Sequence, residues 1–171
     1  MSHRRVSLRK RCENILGHLE LPHPFSLDEL CGRIAEQRGR PIRLHPLPKE
    51  AAETGVCGLW VGTVSVDYVF YEAQTTPLHR EHIVLHELGH ILFGHHSVEA
   101  DDDADVHDGH TLTVLGRTNY TTRQEQEAEM LASMIRIRTA NTAPHAAATP
   151  PRDTLARLES AMGYERRNGG R

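Results

Sequence analysis

Leu78-His79-Arg80-Glu81-His82-Ile83-Val84-Leu85-His86-Glu87-Leu88-Gly89-His90-Ile91-Leu92-Phe93 is the stretch that decides the fold. Val84, Leu85, Leu88, Ile91 and Leu92 recur at helical spacing, so the segment reads as a helix with one apolar face turned to a core. On such a helix His86 and His90 stand one turn apart on the same side, with Glu87 beside them. Two imidazoles at that spacing can both reach a tetrahedral Zn²⁺ at ~2.0–2.1 Å, leaving positions for a third protein ligand and a water. The ion acidifies that water, and Glu87 can take its proton as general base and pass it to a leaving amine. In a chain with 13 His among 171 residues, chance alone supplies roughly 0.08 such patterns, so the flanks matter. A glutamate and two histidines on a core-facing helix are costly without a partner such as a metal.

Two histidines hold zinc poorly, which makes a third ligand the next thing to look for. Glu125 stands first in the run Glu125-Gln126-Glu127-Ala128-Glu129. On a helix it shares a face with Ala128, Glu129, Ala132 and Ile135, small enough in part to let this helix approach the first one closely, whereas Glu127 points roughly the opposite way. Glu129, one turn on, can accept a hydrogen bond from the far nitrogen of a ligand histidine. Thr122 and Glu125 also have the spacing of a capping box, a competing use for the same carboxylate. A rival ligand is His96, at the offset of the pattern HExxHxxGxxH, but Phe93 stands where that pattern requires glycine and Gly94 follows it. His95 and His96 read instead as a polar helix end, and His82 as a hydrogen-bonding neighbour of His86.

Outward from this pair, residues 7–19 read as a basic amphipathic helix with Leu8, Cys12, Ile15, Leu16 and Leu19 on one stripe. Ser26 with Glu29 predicts a second helix through about Gln37, closed by Gly39. Ile42-Arg43-Leu44 begins a strand, and Val56–Val61 and Val64–Tyr71 predict a hairpin about Gly62-Thr63. If strand 64–71 is the sheet's edge, an extended substrate can pair with it. Residues 97–120 read as a long loop whose stretch Glu99–Asp108 carries six carboxylates, a solvated acidic segment. Thr121 or Thr122 caps a helix running to about Arg138. The domain is then 1–139, followed by an Ala/Thr/Pro linker over 140–151, a last helix over 152–163 and a disordered tail over 164–171.

Net charge is −3 and aromatic content 5%, which argues against direct nucleic-acid binding, and no apolar run approaches a membrane span. With no secretory pattern at its start, the chain reads as cytoplasmic. Cys12, Cys31 and Cys57 lack metal-ligand spacing and read as reduced structural thiols.

The run His86-Glu87-Leu88-Gly89-His90-Ile91-Leu92-Phe93-Gly94-His95, with Glu125-Gln126-Glu127-Ala128 and Leu131-Ala132 after it, resembles the ImmA/IrrE family of metallo-endopeptidases over about residues 25–138. The resemblance implies a gluzincin-like zinc enzyme that cuts or inactivates helix-turn-helix repressors, in some members within toxin–antitoxin modules. By motif it implies His86 and His90 as ligands, Glu87 as catalytic base and Glu125 as third ligand. Family chains usually carry Asn or Asp where Glu129 stands, and Leu-Leu-Met-Pro where this chain has Met134-Ile135-Arg136-Ile137-Arg138. The expected fold is α+β and zincin-like: N-terminal helices, a small three-stranded sheet, the HExxH helix and the third-ligand helix. The expected function is a zinc endopeptidase acting on a regulatory protein such as a helix-turn-helix repressor or antitoxin. The alternative is a metal-bearing regulator or toxin–antitoxin component that acts by partner binding without proteolysis. Tyr120, His107 and His110 are the candidate oxyanion donors.

Overall fold

The computed structural model describes residues 7–96, 98–99, 106–109 and 120–142, and among them it forms an α+β fold of five helices around a small mixed sheet. Helix α1 (Leu8–Gly17) begins at Ser7, whose side chain accepts from the Lys10 N–H; α2 (Leu27–Arg38) begins at Ser26, which accepts from the Glu29 N–H. Each hydroxyl satisfies a helix amide that has no partner within the helix. Helix α2 stops at Gly39, left-handed at φ 67°, a conformation open to glycine without Cβ strain. Strand β1 (Ile42–Pro46), the one-turn helix α3 (Lys49–Ala52), β2 (Gly58–Gly62) and β3 (Asp67–Tyr71) follow.

The sheet order is β1-β3-β2-β4, where β4 is the two-residue strand Val98–Glu99, so the three expected strands gain a short fourth. The predicted hairpin pairs antiparallel, from Gly58 opposite Tyr71 to Gly62 opposite Asp67, but its turn is longer than Gly62-Thr63. Residues 63–66 make it: the Thr63 N–H donates to the Val66 carbonyl at 2.8 Å and Thr63 Oγ1 accepts from the Val66 N–H at 3.0 Å. Val64, apolar and β-branched, is left 85% exposed at its tip. Asp67 accounts for the shortened strand. Its fully buried carboxylate accepts from Trp60 Nε1 (2.9 Å), Arg40 Nη2 (2.6 Å) and Arg38 Nε (3.0 Å), tying the start of β3 to the end of α2.

A second expectation is corrected by the strand order. Strand β3 lies between β1, parallel to it, and β2, so both its edges are hydrogen-bonded and neither can take a substrate strand. The outer edge of β2 meets β4 only at Val61 and Gly62, leaving Gly58–Trp60 without a strand partner on that side among the described residues.

Helix α4 (Pro77–Phe93) starts at Thr76, whose hydroxyl accepts from the His79 N–H at 3.2 Å, and ends at Gly94, left-handed at φ 67°. Helix α5 (Thr122–Thr142) packs along it. Leu85, Leu88 and Ile91 of α4 join Leu131, Ala132 and Ile135 of α5, with Trp60 and Val69 of the sheet, in one buried cluster. Each such Leu or Ile stabilises the packed state by about 1.5–3 kcal/mol. At the crossing, a Cβ on Gly89 would lie 2.9 Å from Ala128 Cα and 3.0 Å from its carbonyl oxygen, so only a glycine permits this interhelical distance. Residues 140–142, expected to open the linker, belong to α5; the first breaker after Arg138 is Pro144, which disfavours helix at the residue before it. The rest of the linker, the helix over 152–163 and the tail over 164–171 lie outside the described residues, as do His110 and 100–105 of the acidic stretch. No helix among the described residues is long and apolar enough to cross a membrane. The cysteines are free, Cys12 and Cys31 buried and Cys57 exposed.

Candidate metal centre

Side chains from α4 and α5 meet where the two helices cross near the open end of β2. His86 Nε2 lies 3.2 Å from His90 Nε2 and 3.0 Å from Glu125 Oε2, and the His90–Glu125 edge is 3.8 Å. Ligands bound tetrahedrally to zinc at ~2.0–2.1 Å stand about 3.3 Å apart, so these atoms already occupy three corners of a shell of that size. Such a group could hold a metal ion. Nitrogen and carboxylate lone pairs facing one another at these distances need a cation or a shared proton between them, and the donor set suits a divalent cation.

Local structure explains why Glu125 is available. The competing capping box forms one residue earlier: Thr121 Oγ1 accepts from the Gln124 N–H at 3.3 Å, and Gln124 Oε1 accepts from the Thr121 N–H at 2.9 Å. Glu125 is thereby left to face α4. His90 is only 1% exposed, and burial, helped by the neighbouring His86 and His95, pushes its pKa down to about 3. It is therefore neutral, as a metal ligand must be. Glu129, where the sequence places an orienting group, accepts from His86 Nδ1 at 3.3 Å and also holds His82 Nε2 at 3.0 Å through each oxygen. Burial alone would raise the Glu129 carboxyl, but the hydrogen bonds and charges of His82 and His86 hold it below its usual range. Arg136 lies 3.3 Å from His82 Nδ1.

Glu87 is outside the donor triangle but lines the same cleft, about 310 Å³ in volume, with Gly58, His86, His90, Tyr120 and Glu125. Burial, followed by the nearby Glu125 charge, pushes its carboxyl up to about 8, partly opposed by the Trp60 backbone N–H that it accepts. A cation bound beside it acts in the opposite direction and favours the carboxylate. Gly58 makes room for this group: a Cβ there would lie 2.6 Å from Glu87 Oε1 and 2.8 Å from Ile83 Cγ2. Nothing in the local sequence marks Gly58, since the contact spans strand and helix. Gly58→Ala is expected to displace Glu87 and to destabilise the fold by about 1–3 kcal/mol, measured by urea unfolding; unchanged stability would mean that the pocket yields freely.

The candidate oxyanion donors separate. Tyr120 stacks on the His90 ring, with centroids 3.7 Å apart and planes at 15°, and sits in the cleft. Burial, then the charges of Glu87 and Glu125, raises its pKa, so its hydroxyl keeps its proton. His107 packs instead edge-on to His45 at 4.8 Å and against Tyr68 and Phe70, and does not line the cleft. His96 is exposed and is not part of the donor group.

His95 departs most from expectation. Rather than sharing an exposed helix end with His96, it is buried, because the left-handed Gly94 turns the chain back beneath α4. Its Nδ1 lies 2.8 Å from His90 Nδ1, and its Nε2 lies 2.8 Å from Glu127 Oε2. Glu127 faces away from the donor triangle yet is also buried, paired with Arg123 Nε at 2.9 Å and with Arg11 of α1.

Comparison with family models, with curated proteins and with solved structures found no match, so the ImmA/IrrE resemblance rests on the motif residues.

Proposed function

We propose that the protein is a zinc-dependent endopeptidase with a zincin-like fold, and that its target is a regulatory protein of the helix-turn-helix or antitoxin kind. The observation that carries the reading is the triangle of His86, His90 and Glu125 with a separate carboxylate, Glu87, in the same cleft. Bound there, zinc supplies a charge that polarises a peptide carbonyl and lowers the pKa of a water. Glu87 takes the proton of the attacking water and returns it to the amine that leaves: burial raises its pKa in the metal-free cleft, and the bound cation would favour the carboxylate, the form that accepts the proton. Tyr120 presents a protonated hydroxyl for the oxygen that gains negative charge. Among the described residues Gly58–Trp60 has no outer strand partner, and this stretch, whose Trp60 N–H is held by Glu87, replaces the predicted strand 64–71 as the place for an extended substrate to pair.

A protein target is supported by a second feature. An apolar groove of about 1160 Å³ runs between α1 and α5 and opens on the metal ligands, lined by Leu8, Met130, Met134 and Ile137 with His86 and Glu125. Flexible Met side chains at such a surface can fit varied apolar segments. Hydrolysis of an extended fluorogenic peptide tests the reading. Activity should stop with a chelator and return with Zn²⁺; hydrolysis that persists in chelator would overturn the metal mechanism.

A further inference from the structure

We infer that His95 and Glu127 are positioning residues of the metal centre, forming a carboxylate–imidazole relay that holds His90 with its Nε2 lone pair bare and aimed at the ion. The inference rests on the metal-binding reading above and extends it to residues outside the HExxH motif. The contacts are short and shielded: His90 Nδ1 to His95 Nδ1 and His95 Nε2 to Glu127 Oε2 are each 2.8 Å, and the His95 and Glu127 side chains are 6% and 4% exposed.

The direction of these bonds follows from what each group can do. An ionised carboxylate only accepts, and Glu127 faces two guanidinium groups, Arg123 Nε at 2.9 Å and Arg11, the cationic partners that a buried carboxylate needs. His95 Nε2 therefore donates to Glu127. In a neutral His95 this leaves Nδ1 as the acceptor, so His90 Nδ1 must carry the proton that it donates. His90 Nε2 is then unprotonated, and it is the atom that faces His86 Nε2 and Glu125 Oε2. The opposite arrangement would place a proton on Nε2, where it would block the ion.

The two ligand histidines are thus oriented by different devices. His86 leans directly on Glu129, a carboxylate 54% exposed, whereas His90 is held through an intervening buried ring. The buried device also reaches α1: Arg11 pairs with Glu127 and lies over the Phe93 ring, 5.3 Å from its centroid, while His95 stacks on Phe93 at 5.4 Å. The amino-terminal helix is therefore mechanically joined to a metal ligand on α4.

The test measures Zn²⁺ affinity by competition with a chromophoric chelator, beside urea unfolding of the metal-free protein. His95→Phe keeps a ring against Phe93 but severs the relay, and Glu127→Gln keeps the shape but removes the charge. Each is expected to weaken Zn²⁺ binding by about 10–100-fold. His95→Gln, which can accept from His90 and donate to Glu127, should bind more tightly than His95→Phe, a recovery that a purely space-filling role would not produce. If His95→Phe fails to fold, the isosteric Glu127→Gln alone reads the relay. Affinity within twofold of wild type in Glu127→Gln, with His90→Ala losing the metal, would overturn the relay and leave the metal site standing. His90→Ala binding as tightly as wild type would instead remove the metal reading itself.

Discussion

Glu87→Gln is expected to lower hydrolysis by ~10²–10⁴-fold while keeping the fold and the metal, because an amide of the same shape cannot accept the water's proton. The structure makes this substitution unusually clean. Glu87 is not one of the atoms of the donor triangle, and the Trp60 N–H that its carboxylate accepts can be accepted equally by an amide oxygen. Burial and the adjacent Glu125 already oppose ionisation of Glu87 in the metal-free protein, so removing the charge should leave unfolding by urea unchanged or slightly harder. The comparison therefore needs kcat, zinc content and stability on the same samples. Activity within a few-fold of wild type would place the general base elsewhere.

The second large effect is on the metal. His86→Ala, His90→Ala and Glu125→Ala should each cut zinc binding, from about one ion per chain to little or none for the two histidines, whereas His96→Ala should leave it intact. The histidines should differ in a further respect. His86 is partly exposed, so its loss mainly removes a ligand. His90 is buried between the Tyr120 and His95 rings, and His90→Ala also opens a cavity and leaves His95 Nδ1 unpaired, so the metal-free variant should be less stable by about 2–4 kcal/mol. Metal content by mass spectrometry under native conditions and urea titration separate the two effects. Loss of zinc in His96→Ala with Glu125→Ala unaffected would restore the HExxHxxGxxH alternative.

What could be read in the sequence is what local geometry encodes. The spacing of His86 and His90, the face shared by Glu125 and Ala128, and the caps at Ser26 and Gly39 are properties of single helices, and the structure has those helices. The rest depends on contacts between distant segments. The alternation in 64–71 shows a strand but not which neighbours it takes, and the pairing of β1 with β3 puts it inside the sheet. The partners of Asp67 come from the end of α2, the turn just after it and β2. Gly58 matters because Glu87 arrives from another element, and Glu127 matters because Arg11 lies 116 residues away. For His95 a usable signal existed in Gly94: a left-handed C-cap reverses the chain, so the residue after it can return to the core, where a polar side chain needs a partner.

Cleavage is tested most directly by intact-mass spectrometry of a purified helix-turn-helix regulator whose repression this protein relieves, incubated with a small molar fraction of the zinc-loaded wild type. Two fragments are expected whose masses sum to that of the regulator plus one water, formed over many turnovers and absent in chelator. A regulator that stays full length while the same protein relieves its repression of a reporter, in wild-type and Glu87→Gln forms alike, would contradict it and assign regulation to binding.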